Sequence, residues 1–450
     1  MPTSPNEMKI LYLILLLILP VLAYAGPNTF DAGGSELVLT SSNHEHDMTI
    51  CLVPDVQNMA SQNDFDAVGG KTSCPGLPGY CTGNGCIKSI YCHQSWRNTG
   101  NILLRNMAYS LTGQWDKIDY SNIRGNDNVL SKLGHSLDHA RCDLILDLGD
   151  MTDVPNNSGF GNYVASSRAT LDSLDYTYQF NAIKDFLGVI DKSGIPWVIN
   201  QGNHDPWVWW DDYFTMFGIE NKSYFYEREP TWGLSYAVLV PNPTEVPICV
   251  VSIGFSDALY DPNAPGEGTR GADVLTWATN VTGCGGDYPT ILIAHNQVGE
   301  DGEPHSGGMV TPQVVTLTGI APGTYPGTAG VNEIFMIAGG HWTSSSDTAK
   351  TSYTGLFGVS ADAAVYGFFS NKQELDRHPS PVDDTGITAS DSNGGLYTVI
   401  ILSPDNNSLC AHDWNPYWQV TNGTSNGQKN GTGTSSECFN FDFYGRFPIP

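Results

Sequence analysis

The sequence predicts an α/β sandwich with mixed sheets. Short apolar runs closed by turn residues recur along the chain, as buried strands do. Helix-spaced apolar patterns alternate with them in the first half, and strands dominate the second. Of the 450 residues 40% are hydrophobic and 15% charged, enough apolar material for a sizeable core and too much for a globally disordered chain.

Met48–Val53 is an apolar run closed by Pro54 and reads as a buried strand. Residues 72–100 are rich in Gly and Pro and hold Cys74, Cys81, Cys86 and Cys92, a pattern expected of a disulfide-stapled insertion. Asp127 is placed to cap a helix whose Val129, Leu130, Leu133 and Leu137 share one face. Cys142–Leu148 is a second strand. Between residues 171 and 190, Leu174, Phe180, Ile183, Leu187 and Ile190 mark an amphipathic helix. Pro196–Asn200 reads as a strand. Ser235–Val240 and Ile248–Ile253 flank a Pro/Asn/Thr turn and predict a hairpin. Leu275–Ala278 lies in a short helix before the strand Thr290–Ala294. Ile334–Ala338 and Leu396–Leu402 are further strands, and residues 404–450 turn rich in Asn, Thr, Gly and Ser, as in a disulfide-tied tail.

Charge narrows the function. Asp and Glu number 47 against 20 Lys and Arg, a formal charge of -27. A nucleic-acid groove needs clustered cations, and none is visible. An anionic membrane surface is disfavoured for the same reason. A phosphate-handling site in this chain therefore needs local positive charge of its own, such as a metal.

Residues 1–25 read as a signal peptide: Lys9, an apolar run from Ile10 to Leu22, and Ala23-Tyr24-Ala25 as a small-residue cleavage site. That run is short for a membrane span, so no span is expected after cleavage. The even count of ten cysteines suits a secreted protein, extracellular or in the lumen of the secretory or lysosomal pathway. N-x-Ser/Thr sequons at Asn156, Asn221, Asn280, Asn406, Asn422 and Asn430 fit the same route. Cys410 and Cys438 are candidates to staple the tail, but spacing alone does not fix pairings.

Five predicted strands end in polar residues that suit metal ligation. Met48–Val53 runs into Asp55 and Gln57, and Leu144–Leu148 into Gly149-Asp150 with Asp153 beyond. Trp197–Asn200 runs into Gly202-Asn203-His204-Asp205. Ile291–Ala294 runs into His295, and Ile334–Ala338 into Gly340-His341-Trp342-Thr343. In α/β folds ligands bind beyond the carboxyl ends of strands, and carboxylate, amide oxygen and imidazole together suit Zn, Mn or Fe.

Taken in order, these blocks resemble those of the calcineurin-like metallophosphoesterase superfamily: D-x-H, G-D, G-N-H-D/E, a lone His after a strand, and G-H-x-H. The resemblance covers residues 41–403. It implies a four-layer α/β/β/α sandwich with mixed sheets around two divalent metal ions. By it Asp150 bridges the metals, Asn203, His295 and His341 complete the second site, and Asp55 and Gln57 belong to the first. Two positions depart from the pattern. Gln57 stands where the family has His, and Thr343 replaces the second His of the last block. Both fall on the first site. What remains there favours Mn, Mg or Ca, unless that site is empty or a loop residue such as His305 or Asp347 fills it.

The activity implied is hydrolysis of a phosphate mono- or diester, in a small molecule or a lipid headgroup, by metal-activated hydroxide. His204 would act on the leaving oxygen. Asp153 matches the residue that orients that His in some relatives, or is a helix cap. The alternative is a catalytically inactive glycoprotein of the same fold serving as a binding or surface protein.

Other motifs carry less. Gly266–Gly271 spells G-x-G-x-x-G without a strand before it, and Gly423–Gly427 spells G-x-S-x-G in the polar tail. Trp207, Trp209 and Trp210 are read as packing or as the wall of a substrate pocket.

Overall fold

The computed structural model describes residues 29–32, 35–38, 46–56, 99–114, 117–118, 123–124, 142–152, 177–231, 233–241, 244–255, 270–296, 333–341, 352–357, 365–370, 387–388, 397–414 and 437–448. The signal peptide, the cysteine cluster of residues 74–92 and the helix expected after Asp127 lie outside them.

The architecture is mixed α/β, with two mixed sheets and several helices. In chain order the elements are β1 (Thr29–Ala32), β2 (Ser35–Val38), β3 (Met48–Val53), α1 (Thr99–Leu111), β4 (Ile123–Arg124), β5 (Leu144–Asp147), α2 (Thr177–Lys192), β6 (Trp197–Val198), α3 (Trp207–Met216), β7 (Phe225–Arg228), β8 (Tyr236–Val240) and β9 (Ile248–Ile253). Then come α4 (Arg270–Val281), β10 (Thr290–Ala294), β11 (Ile334–Gly339), β12 (Ser352–Phe357), β13 (Val365–Ser370), β14 (Ile387–Thr388), β15 (Tyr397–Ser403), β16 (Ser408–Trp414), β17 (Glu437–Asn440) and α5 (Phe443–Arg446).

The six-stranded sheet has the order β17-β16-β15-β3-β5-β6, with β3, β5 and β6 parallel and the rest antiparallel. The seven-stranded sheet has the order β12-β13-β11-β10-β9-β8-β7, with β9, β10, β11 and β13 parallel. Its β8–β9 hairpin pairs Val240 with Ile248, as the turn between them predicts. Parallel order has one consequence for function. The carboxyl ends of β3, β5 and β6 lie at one edge of the first sheet, and those of β9, β10 and β11 at one edge of the second.

The central strands β9, β10 and β11 of the seven-stranded sheet are buried on both faces, which is why they read as nearly continuous apolar runs. Along β9 and β10, Val250, Ile291 and Ile293 join one core cluster, while Val251, Ile253, Leu292 and Ala294 join another. That alternation is the two-residue period of a strand. The second cluster is closed by Val274, Trp277 and Ala278 of α4. The first also holds Ile50, Leu52, Leu144 and Leu146 of the six-stranded sheet, with residues of α1 and α2. Side chains from both sheets thus share one apolar core.

Several elements differ from the sequence reading. Helix α1 buries Leu104, Met107, Ala108 and Leu111 and begins inside the stretch read as turn-rich insertion. Residues 171–176 lie outside the described set, and α2 runs on to Lys192. The short helix expected at Leu275 extends over twelve residues as α4. Residues 404–450, read from composition as a tail, supply β16 and β17 to the six-stranded sheet. Phe441, Phe443 and Phe447 then pack on Phe335 of β11, and Arg446 Nη2 donates to the Ile334 carbonyl at 2.8 Å. Cys410 is disulfide-bonded and lies opposite Cys438 in the β16–β17 register. Two further bridges join Cys51 to Cys142 and Cys249 to Cys284. No helix among the described residues is long and apolar enough to cross a membrane.

Candidate metal centre

The site forms where the parallel strand ends of the two sheets meet. From the six-stranded sheet, β5 delivers Asp150, and the loop after β6 delivers Asn203 and His204. From the seven-stranded sheet, β10 delivers His295 and β11 delivers His341. Asp150, His295 and His341 each offer a ligand atom, and these atoms lie within 4.8 Å of one another.

His295 is the centre of this arrangement and is fully buried. Its Nδ1 lies 2.8 Å from the Leu148 carbonyl, which can only accept, so Nδ1 carries the proton. In the neutral ring Nε2 then carries a lone pair. Around Nε2 stand Asp150 Oδ2 at 3.1 Å, Asn203 Oδ1 at 3.0 Å and His341 Nδ1 at 3.1 Å. With His295 neutral, its Nε2, Asp150 Oδ2 and Asn203 Oδ1 are three electron-pair donors facing one another, and His341 Nδ1 is a fourth in the tautomer that carries its proton on Nε2. A cation between them resolves that conflict. Four donors on a tetrahedral ion with bonds of about 2.0–2.1 Å stand roughly 3.3 Å apart, close to the spacings around Nε2. The donor set, two imidazoles, a carboxylate and an amide oxygen, suits Zn, Mn or Fe.

Two of the six non-glycine residues with positive φ among the described residues lie here. Asp150 has φ 54° and His341 φ 72°, left-handed values that cost a non-glycine residue about 1–3 kcal/mol each. Both aim a ligand into the site, which is where such strain is retained. Two glycines make the approach possible. Gly149 has φ 97°, and a Cβ there would stand 2.7 Å from His295 Nδ1. A Cβ on Gly202 would collide with the Asp150 backbone nitrogen and carboxylate. These are the glycines of the G-D and G-N-H-D blocks. Their role is close contact between two loops.

Electrostatics follow from burial. Burial pushes the Asp150 carboxyl up, but the imidazoles of His295, His204 and His341 outweigh it and hold the group well below the usual carboxylate range. Asp205 moves the other way: burial and the neighbouring Asp150 raise it, against hydrogen bonds from Gly202 and Thr152. Asp147, the last residue of β5 and three before Asp150, is raised well above its ordinary value by burial and by Asp205.

Asp150, Asn203, His295 and His341 come together. His204 joins them through its backbone, donating N–H to Asp150 Oδ1 at 2.7 Å. Asp55 is fully buried just beyond β3, at the same sheet edge as Asp150, but it is not part of the three-residue ligand cluster. Gln57, Asp153, Thr343, His305 and Asp347 lie outside the described residues. Of the tryptophans, Trp209 and Trp210 are core, while Trp207 is 45% exposed.

Reading only polar strand ends overlooked Phe255. It stands just past β9, the parallel neighbour of β10, and its ring centroid lies 5.9 Å from that of His295 and 6.0 Å from that of His341. It gives the two imidazoles an apolar wall. Its position at the end of a third parallel strand was the available signal. Compared with known proteins, the chain matches no family profile and no curated sequence.

Proposed function

We propose that this chain is a metal-dependent phosphoesterase of the calcineurin-like type, built as an α/β/β/α sandwich and exported through the secretory pathway. The observation that carries the reading is the meeting of Asp150, Asn203, His295 and His341 around one point, drawn from two sheets in the order the family blocks prescribe. The apolar core shared by both sheets, with α4 on the outer face of one of them, supports the layered arrangement. The buried disulfides support an oxidising destination.

In this reading the four residues would hold one divalent ion, and a second would be assigned to Asp55 together with Gln57, which lies outside the described residues. Divalent ions there would supply Lewis acidity toward phosphoryl oxygens and activation of water near neutral pH. The chain's own part is placement. The Leu148 carbonyl orients His295 by accepting a hydrogen bond from Nδ1–H, and His204, fixed beside Asp150 by its backbone N–H, would protonate a leaving oxygen. Phe255 packs its buried ring against both imidazoles.

Hydrolysis of p-nitrophenyl phosphate and bis-p-nitrophenyl phosphate, assayed with Mn²⁺ or Zn²⁺, tests the reading. Turnover should vanish on chelation, return with metal and be lost in His295→Ala. His204→Ala should lower it about 10²- to 10⁴-fold with metal still bound. Turnover unaffected by His295→Ala would end the proposal. Gln57 and Thr343 favour a second reading, a binding glycoprotein that keeps the fold and one ion. Metal binding without hydrolysis of any phosphoester would select it.

A further inference from the structure

One buried carboxylate grips both loops that carry the candidate ligands from the six-stranded sheet. Asp205 is 6% exposed. Its Oδ1 accepts from Thr152 N at 2.9 Å and from Thr152 Oγ1 at 3.0 Å. Its Oδ2 accepts from Met151 N at 3.2 Å and from Gly202 N at 3.0 Å. Met151 and Thr152 directly follow Asp150, and Gly202 directly precedes Asn203. An Asp at this place before a helix reads as a cap for the first turn of α3. These four donors come instead from the two ligand loops.

Each oxygen takes two donors, which accounts for the roughly four acceptor sites of a carboxylate. Asp205 is therefore saturated as an acceptor and is not itself a ligand. Other bonds close the same seam. His204 N donates to Asp150 Oδ1 and Gln201 Nε2 donates to the Asp205 carbonyl at 3.1 Å, while the one Thr152 hydroxyl proton is shared between Asp205 Oδ1 and the His204 carbonyl, each 3.0 Å away. The seam holds Asp150 in its left-handed conformation, against a Gly202 that leaves no room for a Cβ.

We propose that Asp205 is a positioning residue of the metal centre, setting the separation of Asp150 from Asn203 by clamping the loop after β5 to the loop after β6. The proposal rests on the metal-site reading above. Outer-shell partners of this kind typically contribute about 10- to 100-fold in metal affinity.

The test is a Co²⁺ titration of the metal-free full chain, followed by visible absorption, with thermal unfolding of the metal-free protein alongside. In Asp205→Asn one oxygen acceptor becomes a donor facing Met151 N and Gly202 N. Co²⁺ affinity should fall about 10- to 100-fold with an altered d–d spectrum, while unfolding stays cooperative. Thr152→Val, which removes a single donor, should weaken binding about 2- to 10-fold. A folded Asp205→Asn protein with wild-type affinity and spectrum overturns the proposal. If Asp205→Asn does not fold, Thr152→Val decides, and wild-type affinity there overturns it. A wild-type chain that binds no Co²⁺ sinks the metal-site reading and the clamp with it, whereas wild-type binding with unaffected variants sinks the clamp alone.

Discussion

Removing the Cys51–Cys142 bridge probes how far the scaffold of the site depends on a covalent tie. Cys51 lies within β3, and Cys142 stands two residues before β5, so the bridge staples the strands that lead to Asp55 and Asp150. The closed loop spans 91 residues. Chain-entropy arithmetic gives about 15.5 cal/mol/K for such a loop, or about 4.6 kcal/mol at 25 °C. The 35-residue separation of Cys249 and Cys284 gives about 3.8 kcal/mol by the same formula. Against a total stability of roughly 5–15 kcal/mol, the first figure is a third of the whole or more. The double variant Cys51→Ala/Cys142→Ala should therefore unfold in urea with stability lowered by about 4–5 kcal/mol, and more than the corresponding Cys249/Cys284 variant. Both should be measured at equilibrium with the m-value checked. A loss under about 1 kcal/mol, or the reverse order, would refute the entropic reasoning.

Three further outcomes follow from packing and charge. Trp210 is fully buried, stacked on Phe214 with centroids 5.0 Å apart, so Trp210→Ala should cost about 3–5 kcal/mol by chemical denaturation, whereas exposed Trp207→Ala should stay within about 0.5 kcal/mol. Gly202→Ala forces a methyl group into Asp150 and should lower metal affinity at least about 100-fold by calorimetry; binding at wild-type strength would show that the loops separate freely. Asp147 has a raised native value, so its neutral form stabilises the fold fully below the unfolded value of about 3.9, and that contribution is lost as pH rises toward the native value. Asp147→Asn should remove this part of the decline, making the stability of the variant relative to wild type grow with pH in urea titrations; equal slopes would contradict it.

Much of the fold was legible because buried strands leave a plain signature. β3, β9, β10, β11 and β15 are predominantly apolar runs, and each was found within a residue or two of its ends. Elements with mixed signals were missed. Helix α3 buries Trp209, Trp210, Tyr213 and Phe214 on one face, but Trp207, Val208 and Met216 are apolar off that face and blur its period. β12 and β13 carry Gly355 and Gly367 in mid-strand, where glycine ordinarily argues against a strand. β16 mixes polar and apolar residues without a strict period, beside an Asn-rich stretch that resembles a loop. Helix α1 did show helical spacing at Leu104, Met107, Ala108 and Leu111, but the cysteine-rich segment before it obscured its start.

The site divides the same way. Asp150, Asn203, His295 and His341 could be read because each follows a strand directly, and parallel order brings such positions together. The role of Asp205 was hidden, since hydrogen bonds across 53 or 54 residues leave no trace in local spacing and the residue looks like an ordinary helix cap. Phe255 was hidden because an aromatic side chain at a strand end reads as core.

The most direct test of the central claim is metal stoichiometry, by elemental mass spectrometry on protein purified from a secretory host without chelator. The account predicts at least one divalent ion per chain in the wild type and its loss in His295→Ala and His341→Ala. A wild-type chain that stays metal-free after exposure to Mn²⁺ and Zn²⁺, or one that keeps its ion in both variants, would contradict it.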